Sequence, residues 1–361
     1  MENQTRRKNK DHVWKFIEAM DAVTGEGRGD APAGGPAESP DDRARSDGPS
    51  NSLTRRFQSV LETFCSKDVE WKIFHPFNTL QGCEAAARNF WGDLAEALPD
   101  IERRLDIFAG DVYQDEYWVT CLGHLCGSFE RSWLGIPPTG RVASLRIGEF
   151  YKVRDEKIVR AHILLDIPDL MRQAGVYPFR PMPAAPGMVP GPKKHNGLRL
   201  GEDDPEQKTL DTVLSMHKAL HDFDGKDLGS MQHSQCWSEH FLYYAPAGIG
   251  TTRGMEQFRA YHQKPFLVAF PDRHGRDHYV RISDGPIACT SHWGTLTATH
   301  TGSGWLGLPA TGKKLQMRVA DWYCADERGL LHENWLMMDI LDICMQMGYD
   351  VLADFCMNHR G

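Results

Sequence analysis

Two carboxylates close short apolar runs that read as strands: "WLMMD", Trp335 to Asp339, and "HILLD", His162 to Asp166. Side chains alternate along a strand, so Trp335, Met337 and Asp339 share one face, and His162, Leu164 and Asp166 share another. If such a face turns inward, the acid sits among apolar and aromatic neighbours. Burial then disfavours the charged form and raises the pKa. A carboxyl tuned upward moves protons near neutral pH. That is the chemistry of an aldol-type ring closure or an enol isomerisation, in which a proton leaves beside a carbonyl and one returns to the new oxygen. A structural role is also open. Each Asp precedes a short helical run, "ILDICMQMG" or "IPDLMRQAG", where Asp favours the N-cap.

Other side chains invite similar readings. His300, in "THTG", would orient a substrate or polarise a carbonyl, or else be held within a sheet; His124 is its loose counterpart. Glu149 lies on a strand face with Leu145, Ile147, Tyr151 and Val153, and Asp321 on one with Leu315, Met317, Val319 and Tyr323. Each is a candidate buried acid, unless an Arg partner or a bulge makes it structural. Arg146 and Arg318 project to the opposite face, which suits surface or inter-repeat pairing. Tyr243, Tyr244 and Trp237 line a pocket or fill a core. His217 and His221 stand four apart on a helix, but no Glu adjoins His217 as the zinc-protease motif requires. There is no Gly-rich phosphate loop, no Ser-His-Asp order and no Cys-x-x-Cys, so no metal or cofactor is expected.

The elements that must position these residues come in two sets. "WLGIPPTGR" begins at Trp133 and "WLGLPATGK" at Trp305, 172 positions later. The offset of 172 holds for Asp100 and Asp272, Gly82 and Gly254, Arg146 and Arg318, and Tyr151 and Tyr323. One added residue then moves it to 173, pairing Asp166 with Asp339 and Asp169 with Asp342. A constant offset over so long a stretch indicates duplication. Each repeat opens with helical spacing, as in "LDTVLSMHKAL", and continues with alternating strands joined by Pro-x-Thr-Gly turns. Helices followed by hairpin-joined strands read as α+β with an antiparallel sheet. The expected boundaries are repeat 1 at 10–177, a Pro-rich extended linker at 178–204 and repeat 2 at 205–361. Within repeat 1, residues 24–52 are too poor in apolar groups to offset the entropy of ordering, and disorder is expected.

The 361 residues carry 41% hydrophobic residues and a net charge of −8, enough for real cores and against a polyanionic partner such as nucleic acid. No run reaches the roughly 18 apolar residues of a membrane span, and no signal-like stretch is seen at the start. A cytoplasmic protein with free thiols is expected.

Taken together, the Gly-x-Pro-x-Thr-Gly turn, the preceding Thr-His-x-Gly string of "THTGSGWLGLPATGK" and the Glu-x-Trp strand of "ENWLMMDILDICMQMG" resemble the SnoaL-like polyketide cyclases, of the nuclear transport factor 2-like fold. Repeat 1 departs further: His162 replaces the Trp and the Glu is missing. The resemblance implies a curved sheet wrapped around helices as a cone, paired sheet to sheet, here as an intrachain pseudo-dimer; homodimerisation of whole chains stays open. It also implies that the strand Asp is the acid/base, which maps to Asp339 and to Asp166, with His300 beside it. Trp335, Met337, Tyr243, Asp321, His162, His124 and Glu149 would contact substrate. The activity implied is a cofactor-free cyclase or isomerase acting on a small, carbonyl-bearing, apolar molecule. The alternative is a non-catalytic module of the same fold that binds a small molecule or a partner.

Overall fold

The computed structural model describes residues 3–25, 49–201, 204, 206–221 and 227–358. The expectation of disorder over 24–52 thus falls, for 26–48, outside the described residues.

The first half opens with α1 (Asn3–Gly25) and α2 (Pro49–Phe64), then β1 (Cys65–Ile73) and β2 (Asn78–Gln81). Helix α3 (Gly82–Ala86) passes through a π-helical segment, Ala87–Gly92, into α4 (Asp93–Ala97). Four long strands follow: β3 (Glu102–Tyr113), β4 (Glu116–Ser128), β5 (Val142–Arg154) and β6 (Lys157–Leu165), with α5 (Ile167–Gln173) after them. The second half repeats the plan with α6 (Lys208–His221), β7 (Trp237–Tyr244), β8 (Thr251–Arg253), α7 (Gly254–Phe258), a π-helical segment at Arg259–Gln263 and α8 (Lys264–Ala269). Then come β9 (His274–Gly275), β10 (Val280–Asp284), β11 (Ile287–Thr299), β12 (Lys314–Ala325), β13 (Leu331–Met338), α9 (Ile340–Met347) and α10 (Val351–Asn358).

The sheets have matching orders, β2-β1-β6-β5-β4-β3 and β8-β7-β13-β12-β11-β10, with β9 also paired to β11. All pairings are antiparallel except β1 with β6 and β7 with β13. The sheets are therefore mixed, and the chain is an α+β protein of two tandem domains. What is one strand in the first domain, β3, is broken into β9 and β10 in the second, and Arg276 to Tyr279 bridge the gap.

The turn strings take the same shape in both halves. Leu134 and Leu306 both have φ near 55°, each followed by a glycine at positive φ, Gly135 or Gly307. Trp133 and Trp305 are buried against these corners. Phe129 N–H donates to Arg141 O and its carbonyl accepts from Thr139 and Gly140. His300 does the same with Lys313, Thr311 and Gly312. The structural counterpart of His300 is thus Phe129, not His124.

Each sheet has one face on its own helices and the other on the neighbouring sheet. In the first domain α1 packs on β3, β4 and β5; in the second α6 packs on β10 to β13. The opposite faces form a shared apolar layer, with Phe74, Trp118, Phe150 and Leu164 from one half and Tyr244, Trp322, Trp335 and Met337 from the other. Phe150 and Trp322, 172 positions apart, stack on each other at 5.3 Å. That places them on the pseudo-twofold axis. The Trp322 indole N–H donates to Thr120 Oγ1 at 2.9 Å, so the ring's one polar group is satisfied across the interface. Gly148 leaves room for this ring: a Cβ there would lie 2.4 Å from Trp322 Cη2. Gly148→Ala should therefore destabilise the chain by about 1–3 kcal/mol through overpacking, read as a lowered Tm. An unchanged Tm would show that the interface yields at no cost.

Candidate functional site

The second domain encloses a cavity of about 220 Å³ between the concave face of its sheet and its helices. Four adjacent strands supply one wall: Thr290 from β11, Asp321 and Tyr323 from β12, Asn334 and Leu336 from β13, and Tyr243 from β7. Helix α6 brings His217 to the opposite side, and the α7 to α8 segment brings Phe258, His262, Gln263 and Phe266. The wide turn of a π-helix re-aims side chains, which here serves His262 and Gln263.

Asp321 is the one carboxylate in this lining. Asn334 Nδ2 donates to its Oδ1 at 3.1 Å and also to Trp322 O at 3.0 Å. Among the described residues no cation lies within ion-pair distance of it. Burial pushes its pKa up to about 7, against the opposing effects of the Asn334 hydrogen bond and the Arg146 charge. Its remaining accessible surface faces the cavity it lines. Tyr323 and Tyr243 have phenols pushed well up by burial first and by the Asp321 charge second, so both stay protonated donors. His217 links Tyr323 Oη, at 3.2 Å from Nε2, to His278, 3.1 Å from Nδ1. Burial lowers His278 to about 3 and His292 to about 4, so both rings are neutral at pH 7.

The first domain fills the same volume. Glu149 stands where Asp321 does, but Arg103 donates to it, and Tyr151 Oη donates to its Oε1 at 2.7 Å. Arg103 also reaches Asp21 at 3.2 Å and lies over Trp91. Its counterpart is Gly275: Arg103 pairs with Leu125 on β4 as Gly275 pairs with Leu296 on β11. At the offset of 172, Phe90, Trp91 and Trp71 face His262, Gln263 and Tyr243. Only about 20 Å³ of void remains near Arg103 and Trp91.

Several sequence expectations need correction. Trp335, Met337 and Asp339 do share a face, but it points away from the cavity. Asp321 pairs with Leu336 on the neighbouring strand, and directly paired residues point to the same side, so Asn334, Leu336 and Met338 line the cavity instead. Trp335 and Met337 lie in the inter-sheet layer, as does His162, which packs on Tyr279 and Trp293. Asp339 caps α9, accepting from Asp342 N–H at 3.2 Å, and takes His75 N–H from the first domain at 2.9 Å. Arg318 lies 3.3 Å from it and also bonds Asn78. Asp166 is its mirror, accepting Ala247 N–H from the second domain at 3.0 Å. Burial, then the charge of a neighbouring Asp, raises both carboxyls to about 7, yet each is held at the domain interface. A raised pKa alone therefore did not mark the site.

His300 holds its turn, with Nδ1 3.2 Å from Thr311 Oγ1 and its ring against Phe270, outside the cavity lining. His124, near Asp106, lines a separate groove with Arg146 and Asp166 between the domains and the 182–189 segment. Tyr243 and Asp321 do line the cavity. The sequence reading missed His233, His262, Gln263, Arg273, His278 and His292 as cavity residues. Comparing the repeats position by position would have exposed several, since polar groups in the second stand where the first has apolar ones. Among the described residues, Cys324, His332 and Glu333 bring metal-ligating atoms within 4.8 Å of one another. They lie away from the cavity, and both Glu333 oxygens already accept Lys193 N–H at 3.1 Å.

The family model of the SnoaL-like polyketide cyclases matches this chain twice, over residues 51–174 and 219–347. These matches cover well over half of the sequence, and the chain belongs to that family. Family membership supports a function of the cyclase or isomerase type. Among solved structures, it is similar to a SnoaL-like polyketide cyclase family protein of Jannaschia sp. CCS1 (16% identity, 45% of this chain and 89% of that one, TM-score 0.32). It is also similar to TsrD of Streptomyces laurentii (20%, 40% and 98%, 0.32). A third is a nuclear transport factor 2-like superfamily protein of Salmonella enterica (12%, 45% and 92%, 0.30). No curated protein matches. No helix of the described residues is long and apolar enough to cross a membrane.

The interface role of Asp339 is open to test. Asp339→Ala leaves the part-buried His75 N–H without its acceptor and removes a helix cap, which should lower stability by about 2 kcal/mol in denaturant titration. Asp339→Asn keeps an acceptor at the same place and should lose less than half of that. Equal losses for the two variants would contradict the hydrogen-bonding account.

Proposed function

We propose that the second-domain cavity is the site of a cofactor-free proton transfer on a small, carbonyl-bearing, largely apolar molecule, with Asp321 as acid and base. The observation that carries this reading is a carboxylate with no ion-pair partner among the described residues, tuned to about 7, on the wall of a cavity whose exposed lining is mostly apolar. At that pKa the carboxylate takes a proton from the carbon beside the carbonyl and returns it without a large mismatch at neutral pH. Asn334 fixes the carboxylate's rotamer. The neutral phenols of Tyr243 and Tyr323 are the donors on hand for a developing enolate oxygen, and His217 holds Tyr323 in place. Apolar walls exclude water and keep the acid's affinity for protons high. A ring closure or a double-bond shift then follows from the enolate's geometry within the walls.

The reading is tested by deuterium uptake from solvent into the acetyl methyl group of 4-acetylbenzoate, followed by proton NMR. Because the ionised carboxylate is the base, exchange should rise as pH passes through about 7 and level off above it. Asp321→Asn should cut it by about a hundredfold or more and abolish that inflection. Exchange by Asp321→Asn at the native rate overturns the proposal. Binding of the probe by the native protein with exchange no faster than in buffer would favour the ligand-binding alternative.

A further inference from the structure

One end of the cavity carries polar atoms that find no partner among the described residues. Gln263 is 4% exposed and His233 1%, yet among the described residues Gln263 Oε1 and His233 Nε2 have no hydrogen-bond partner. His262 Nδ1 is in the same position. The three groups are held in place on their other sides: Gln263 Nε2 lies 3.2 Å from His233 Nδ1, and the His262 ring packs on Tyr243 and Phe266. Arg273 completes this end. Among the described residues its guanidinium has no acid within ion-pair distance, although burial is strong enough to lower its pKa. It lies near both histidines, whose pKa values of about 4 and about 3 leave them neutral at pH 7. A half-buried cation with no acid within ion-pair distance, set beside buried polar atoms without partners, is costly unless something enters to satisfy it.

The duplication supplies an internal comparison. At the offset of 172, Arg273, His233, His262 and Gln263 correspond to Ile101, Leu61, Phe90 and Trp91, all apolar, the last three in the first domain's core and Ile101 packed against it. A cavity needed only for apolar packing would keep such residues. Four polar replacements converge on one end of one cavity.

We propose that this end binds a carboxylate of the ligand, with Arg273 as its counter-ion and the ring N–H groups of His233 Nε2 and His262 Nδ1 as further donors, while Gln263 Nε2, donating to His233 Nδ1, fixes that ring with its Nε2–H toward the ligand. The proposal rests on the reading above in placing the ligand in this cavity, and it narrows the substrate class to keto acids. The arginine fork matches a carboxylate geometrically and holds it bidentately. The apolar middle of the cavity then spans from the carboxylate to the carbonyl at Asp321. Arg273 acts in binding and orientation and takes no part in proton transfer.

The test uses the full chain and two probes, 4-acetylbenzoate and its methyl ester, titrated by calorimetry at low salt. The acid should bind at least about tenfold tighter than the ester. Arg273→Gln should bring the two affinities together, and Arg273→Lys should keep part of the preference. Asp321→Asn should retain the preference while losing deuterium exchange, which separates this proposal from the catalytic one. Circular dichroism and Tm of each Arg273 variant confirm folding, and Gln263→Leu, which leaves the arginine in place, should weaken binding of the acid by a smaller factor. Equal affinity of the native protein for acid and ester, or a full preference surviving in folded Arg273→Gln, overturns the proposal.

Discussion

The mutual burial of the two sheets' convex faces is the constraint from which the other features follow. Each sheet must bury both sides: one against its own helices, the other against its twin. The contact is built about a pseudo-twofold axis, marked by the stack of Phe150 on Trp322. Equivalent polar groups close it on both sides. Asp166 takes the amide of Ala247 while Asp339 takes that of His75. Asp111 takes Ser283 N–H while Asp284 takes Gly110 N–H and pairs with Lys10. Buried carboxylates here satisfy backbone donors that a flat apolar layer would leave stranded. Covalent linkage sets the effective concentration of the two halves, so a contact of this kind forms without an assembly step.

Duplication then lets the two concave faces diverge. In the first domain an Arg–Glu pair, with Tyr151 and Trp91 around it, occupies the space inside the cone. Replacing that arginine by Gly275 in the second removes both the bulk and the counter-charge in one change. The bulk becomes cavity, and the remaining acid, Asp321, loses the cation that would hold it ionised. This substitution therefore contributes to the volume and leaves burial to set the direction of the Asp321 pKa shift. The breaking of the β3 equivalent into β9 and β10 fits the same picture, since the gap admits His278 to the lining.

Much of this was legible in the sequence. The repeat offset, the helix-then-hairpins order and the turn strings pointed to two α+β domains of this family, and the strand faces of Glu149 and Asp321 were read with the right neighbours. The choice between faces of β13 was not legible. Alternation identifies sides only when one is polar, and β13 is buried on both, from Trp335 and Met337 on one side to Leu336 and Met338 on the other. The decisive fact was register: Asp321 opposite Leu336. Register depends on long-range pairing that a local pattern does not encode. The N-cap reading of Asp339 was available from sequence and describes its local geometry, but its bond to His75 crosses 264 positions and leaves no local trace. The mixed sheet escaped notice for the same reason, because the first strand of each repeat joins the last in parallel only after the whole domain has closed.

The two domains nevertheless do not divide cleanly into an inert half and a working half. Arg146 of the first domain enters the back of the second, donating to Tyr244 O at 3.1 Å and Leu336 O at 2.6 Å. Those carbonyls belong to the two strands that carry Tyr243 and Asn334 into the cavity. The arginine's charge also opposes the rise in the Asp321 pKa. Without it, burial alone would hold the acid protonated further above neutrality and weaken it as a base at pH 7. The filled domain thus contributes rigidity to the strands behind the cavity and a fixed positive charge at a distance. Its equivalent, Arg318, is turned to Asp339 and Asn78, and Glu149 instead has Arg103 beside it. The asymmetry of the cavities is accordingly matched by an asymmetry in what each domain sends across the interface.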